Sequence, residues 1–223
     1  MRLDFPGTVA TALFLGAVSI LQAQTELPLT NLLSRSVIQS DHKTPGIWDA
    51  GIGEGFRATA QSISVSAGAT YGLAAFGSRQ AHDLGLISLS YGHMLTPTLG
   101  EGHWYRGNVE FQIELFTGAQ FSPEADWLVG LTPHLRYDFA TGTRWIPFFD
   151  AGAGITATGI GAPDLGGIFE FNLQAGAGIQ WFLKDNLGLT LEGRYVHWSC
   201  AGISHPNFGL NGVTGILGLT YYF

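Results

Sequence analysis

From Ser62 onward the chain alternates apolar and polar residues with a period of two, the spacing that sends successive side chains to opposite faces of an extended strand. In the first such run Ile63, Val65, Ala67, Ala69, Tyr71 and Leu73 alternate with Ser62, Ser64, Ser66, Gly68, Thr70 and Gly72. The third sets Val109, Phe111, Ile113 and Leu115 against Glu110, Gln112 and Glu114, and the fourth sets Leu131, Leu135, Tyr137 and Phe139 against Thr132, His134, Arg136 and Asp138. In the sixth, Phe169, Phe171, Leu173, Ile179 and Trp181 oppose Glu170, Asn172, Gln174 and Gln180. Runs at 83–95, 144–156, 187–199 and 212–223 bring the total to eight.

Alternation alone does not say which face points outward, since a water-soluble barrel would put the charges outside and an apolar cavity within. Composition decides between the two. Only 12% of the residues are charged, 13% are aromatic, 32 are glycine and the last residue is Phe223, which suits a wall facing hydrocarbon. Facing lipid, Glu110 and Glu114 would be costly, so the polar set turns inward. The expected fold is all-β, an eight-stranded antiparallel transmembrane β-barrel of the outer-membrane type. In a barrel of this size side chains fill the interior. Glu110, Glu114, Arg136, Asp138, Glu170, Glu192 and Arg194 are therefore expected to form a buried polar network, and no open pore is expected. Thr141-Gly142-Thr143 and Lys184-Asp185-Asn186 read as tight periplasmic turns, and 157–167 and 200–211 as long external loops.

The remaining segments fit export. Residues 1–24 carry Arg2, an uncharged apolar run from Thr8 to Leu21 and then Gln22-Ala23-Gln24, which reads as a signal peptide cut after Ala23 or Gln24, with an uncleaved anchor as the alternative. No later stretch holds about 18 uninterrupted apolar residues, so any further spanning must be by strands. Residues 25–60 read as a loosely ordered periplasmic lead-in with a short strand near 47–52, and residues 61–223 as the barrel. A net charge of −7 with Lys43 and Lys184 as the only lysines leaves no basic stripe for nucleic-acid phosphates, and nucleic acid is discarded as a partner. Cys200 is the single cysteine, so no internal disulfide forms.

Candidate chemistry sits in the seventh run. Leu187, Leu189, Leu191, Gly193 and Tyr195 are outward by parity, and the same parity carries on to His197 and Ser199, near the external rim. Residues two apart on a strand share a face, with Cβ atoms roughly 6–7 Å apart. An imidazole titrates near neutrality and can take and return a serine proton. On spacing alone, His197 and Trp198 can equally belong to an interfacial girdle, with Ser199 opening a loop. Parity turns Cys200 inward, and its blander reading is a solvent-facing loop thiol rather than a nucleophile. His205 is given no role.

The stretch Arg194-Tyr195-Val196-His197-Trp198-Ser199-Cys200-Ala201-Gly202, followed by Pro206-Asn207-Phe208-Gly209-Leu210-Asn211, resembles the PagL-type lipid A 3-O-deacylase family, whose pattern is H-x-S-N-A-G and then P-N-x-G. The likeness extends loosely over residues 62–223, through Ala81-His82-Asp83-Leu84, Gly102-His103-Trp104-Tyr105-Arg106-Gly107-Asn108 and Thr141-Gly142-Thr143-Arg144-Trp145. It implies hydrolysis of the ester-linked 3-hydroxyacyl chain of lipid A in the bacterial outer membrane, without metal or cofactor. Lipopolysaccharide is then the partner, and pairing of two barrels into a homodimer stays open. Ser199 maps to the nucleophile and His197 to the base. The family's acidic third member falls on Asn211, and its asparagine after the serine falls on Cys200. Backbone N–H groups of Cys200, Ala201 and Gly202 are then expected to bind the oxyanion. A catalytically weak or non-enzymatic barrel and a small-solute channel are the competing readings.

Overall fold

A computed structural model describes residues 46–223; the expected signal peptide and the first part of the lead-in lie outside the described residues. Eight strands follow one another: β1 (Gln61–Leu73), β2 (Asp83–Met94), β3 (Gly107–Ser122), β4 (Asp126–Phe139), β5 (Trp145–Thr158), β6 (Phe169–Lys184), β7 (Leu187–Ser199) and β8 (Leu210–Tyr222). Each pairs antiparallel with its neighbour in sequence, and β1 pairs with β8 to close the barrel. At 12 to 16 residues, every strand exceeds the 9–11 that a tilted membrane-crossing strand needs. Closure leaves no unpaired edge.

The faces fall as the alternation requires. Val65, Leu89, Leu115, Leu135, Leu173, Leu191 and Leu217 are exposed around the outer wall, whereas Glu110, Glu114, Arg136, Asp138, Glu170, Glu192 and Arg194 are buried inside. An apolar belt of this extent belongs in lipid rather than in water. Trp145 stacks on Trp181 (centroids 5.2 Å apart) and Tyr137 on Phe149 (5.6 Å), toward the end of the barrel that holds the chain's C-terminus. Pro133 interrupts the β4–β5 register between Leu131↔Ile155 and His134↔Gly152, as a residue without an N–H must.

Inside, two ion-pair clusters share the lumen. Arg136 Nε donates to Asp138 Oδ1 (2.9 Å), while Glu110 accepts from Ser62 Oγ (2.9 Å) and Gln112 Nε2 (2.7 Å). Arg194 donates to Glu192 (2.5 Å), Glu114 (2.7 Å) and Gln174 (2.8 Å). Within the two clusters Glu110, Asp138, Glu114 and Glu192 each have an arginine beside them, the condition for tolerating ions out of water. Glu170 stands apart from this network and accepts instead from Gly167 N at 3.2 Å. Apolar clusters cap this polar middle at both ends, which the alternation had not revealed. One contains Met94, Ile146, Phe182 and Tyr222, and the other Phe116, Leu128, Val196 and Trp198.

Two expectations need correction. The described part of the lead-in, 46–60, is packed rather than loose: Trp48 bridges to Phe56, and Trp48 stacks on Phe56 (4.5 Å) and Phe56 on Tyr222 (5.0 Å). A buried asparagine fastens it, with Phe56 N donating to Asn108 Oδ1 (2.8 Å) and Asn108 Nδ2 to Phe56 O (2.9 Å). The connections also do not sort cleanly by length. The long 95–106 segment shares an end with the tight turns 140–144 and 185–186, and the short 123–125 connection lies at the other rim. Thr96 O accepts from Asn108 Nδ2 (3.1 Å), so the long segment helps anchor the lead-in.

Candidate active site

The β7–β8 pair builds the site at the rim opposite the chain's C-terminus. His197 lies directly across from Asn211 on β8, and on its other side β6 places Leu173 opposite His197 and Phe171 opposite Ser199. His197 and Ser199 are half-buried on the outward face, in register with exposed Leu191 and Gly193, while Val196 before them and Trp198 between them are buried inside. The imidazole and hydroxyl therefore open onto the apolar wall.

Asn211 shares that outward parity with Val213 and Leu217, yet it is only 3% exposed because neighbours cover it on three sides. Its Nδ2 donates to Ala75 O at 2.7 Å. A carbonyl can only accept, so the amide's orientation is fixed and Oδ1 faces the histidine. There Oδ1 accepts from His197 Nδ1 at 2.8 Å and from Tyr195 OH at 2.5 Å. With its proton on Nδ1, the imidazole keeps the Nε2 lone pair free. Among the described residues no hydrogen bond joins that ring to Ser199 Oγ.

Glycine lets the loop close over the pair. Gly209 has φ +76°, and a Cβ built on it would sit 2.9 Å from His197 Cε1 and 3.6 Å from Ser199 Cβ. Its amide donates to Asp164 O at 2.9 Å, tying the loop to the 159–168 connection. At the start of the same loop Ala201 (φ 51°) and Gly202 (φ 83°) take left-handed conformations that turn the chain away from β7, and Ile203 N donates to Cys200 O at 3.0 Å. For alanine that region costs of order 1 kcal/mol or more.

Cys200 points inward, but it is not the solvent-facing thiol expected of a loop residue. It is 1% exposed, lies against Gly166, and its Sγ accepts from Ser204 Oγ at 3.5 Å. That hydroxyl, helped by the Ser204 and Gly202 backbone N–H groups, holds the thiol below its usual pKa. The Cys200, Ala201 and Gly202 N–H groups make no backbone hydrogen bond among the described residues.

The structure thus brings His197, Asn211 and Ser199 to one patch with the 200–202 turn beside them. Tyr195 and Ala75 escaped the sequence reading as partners of Asn211. Tyr195 was visible as outward by parity, but no local signal could reveal that the β1–β2 connection reaches across to β8.

The family model described as "Lipid A 3-O-deacylase (PagL)" matches residues 65–220. Similar curated proteins are the lipid A deacylase PagL of Bordetella bronchiseptica, 31% identical over 132 residues, and that of Pseudomonas aeruginosa, 33% identical over 85 residues. These matches cover 58% and 37% of this chain, and span 61% and 46% of the curated relatives. Among solved structures, the outer membrane enzyme PagL aligns with a TM-score of 0.53 at 22% identity, over 70% of this chain and 97% of that one. Neisserial surface protein A aligns with a TM-score of 0.56 at 16% identity, over 74% and 99%. Both likenesses speak to the barrel fold alone.

Proposed function

Because the chain belongs to the PagL family of lipid A 3-O-deacylases, we propose that it is an outer-membrane serine esterase that releases the 3-hydroxyacyl chain from lipid A. The observation that carries this reading is the fixed amide of Asn211, held by Ala75 O so that Oδ1 takes the Nδ1 proton of His197 and leaves Nε2 free beside Ser199. Nε2 removes the Ser199 Oγ proton as Oγ attacks the ester carbonyl carbon. Negative charge develops on the carbonyl oxygen, which accepts hydrogen bonds from the N–H groups of Cys200, Ala201 and Gly202. Collapse breaks the bond to the sugar's O3, and His197 returns its proton to that leaving oxygen. Water, deprotonated in turn by Nε2, then attacks the acyl carbon, the bond to Ser199 Oγ breaks, and His197 passes its proton to Oγ as the fatty acid leaves.

The outward aspect of the pair explains how a lipid arrives: the ester slides laterally along the wall and never has to enter the lumen. Asn211 supports this chemistry less than a carboxylate would, since an amide orients the imidazole without offsetting the charge it gains.

A second reading, a barrel that binds lipid without turnover, is favoured by the missing hydrogen bond between Ser199 and His197. Catalytic hydrogen bonds often tighten only with substrate present, and a phosphonate ester probe separates the two. Covalent labelling of Ser199 in the wild type, lost in His197→Ala, supports the esterase; no labelling of Ser199 supports the binder.

A further inference from the structure

Arg79, on the β1–β2 connection, stands out by what it lacks. Arg106, Arg136, Arg144 and Arg194 each pair with a carboxylate, whereas Arg79 and Arg57 pair with none among the described residues, and of these two only Arg79 is near the site. Arg57, Arg106, Arg144 and Lys184 lie at the opposite end and Arg136 and Arg194 inside, so among the described residues Arg79 is the only Lys or Arg on the connections at the site's rim. It is nonetheless placed: its guanidinium carbon lies 3.7 Å from the centroid of the Phe208 ring.

Phe208 precedes Gly209, the residue closed against His197 and Ser199. Its own amide is held by Asp164 O at 3.1 Å. The connection carrying Arg79 is pinned to the site twice more, by Asn211 Nδ2 on Ala75 O and by the edge-on contact of Phe76 with Tyr195 (6.4 Å). Stacking occupies only the face of a guanidinium and leaves its in-plane N–H fork free, a geometry matched to two phosphate oxygens.

We infer that Arg79 recognises a phosphate monoester on the glucosamine headgroup of the lipid whose acyl ester lies at Ser199, and so sets which ester presents itself. The choice of lipid rests on the deacylase reading, but the phosphate chemistry rests on Arg79 itself. Such a contact holds the sugar from the water side while the acyl chain runs down the apolar wall.

The test is binding to the Ser199→Ala barrel in detergent micelles, so that turnover plays no part. Bisphosphorylated lipid A is compared with phosphatase-treated lipid A, for Arg79 intact, Arg79→Lys and Arg79→Ala. Arg79→Ala should weaken binding of the phosphorylated lipid about tenfold, as loss of an exposed charge-assisted pair implies. Arg79→Lys should weaken it about threefold, and the dephosphorylated lipid should bind all three alike. Equal loss on both lipids, or no loss on either, overturns the proposal. So does a pattern in which inorganic phosphate binds through Arg79 while lipid A affinity ignores its phosphates, which would mark a free-phosphate site. If the wild type deacylates nothing yet binding follows Arg79 and phosphate as described, the esterase reading fails and this one stands.

Discussion

Replacing Asn211 with alanine removes the only acceptor for His197 Nδ1 among the described residues and vacates the Oδ1 shared with Tyr195 OH. The bond matters most when the imidazole carries the serine's proton, because it then becomes charge-assisted, worth about 1.5–3 kcal/mol. A loss of about 2–3 kcal/mol of transition-state stabilisation corresponds to a fall in kcat of about 30- to 150-fold. KM should barely move, because a residue only 3% exposed does not touch the lipid. The assay is the initial rate of fatty-acid release from lipid A in detergent micelles, with the heat-modifiable electrophoretic shift of a folded barrel as the control. A kcat within threefold of wild type, or a loss carried by KM, would refute the idea that this amide holds the imidazole.

Further outcomes follow from the same geometry. Gly209→Ala should lower kcat at least tenfold without unfolding the barrel, because φ +76° and a Cβ 2.9 Å from His197 Cε1 would push the ring aside; steady-state kinetics on the folded variant reads this. Arg194→Met should cost about 3–5 kcal/mol by leaving Glu114 and Glu192 buried without their cation, seen as a lower temperature for loss of the heat-modifiable band. Cys200→Ala should keep most of the activity, since the thiol faces inward; the intact thiol should also react slowly with maleimide despite its lowered pKa, because it is covered.

The period-two pattern made the strands and their faces legible because one register error would move a whole set of residues into the wrong solvent. Glu110, Glu114 and Arg194 are buried where that parity places them. The same logic put His197 and Ser199 on the outer wall. Contacts made by irregular backbone stayed hidden. Ala75 reaches Asn211 through a carbonyl, which carries no side-chain signature, and Phe56 docks beneath the barrel through Asn108, more than fifty residues away in sequence. Interior Phe116, Val196 and Trp198 were also obscured, because an apolar residue on the inner face looks like a lapse in alternation rather than a plug. The thiol of Cys200 was misjudged for a related reason: loop position suggests exposure, while Gly166 and Ser204 cover it.

The most direct test of the account is the mass of lipid A from outer membranes of cells expressing the wild type, His197→Ala or Ser199→Ala. The account predicts lipid A lighter by one 3-hydroxyacyl group with the wild type alone. Unchanged lipid A with folded wild-type protein in the membrane, or deacylation that survives Ser199→Ala, would contradict it.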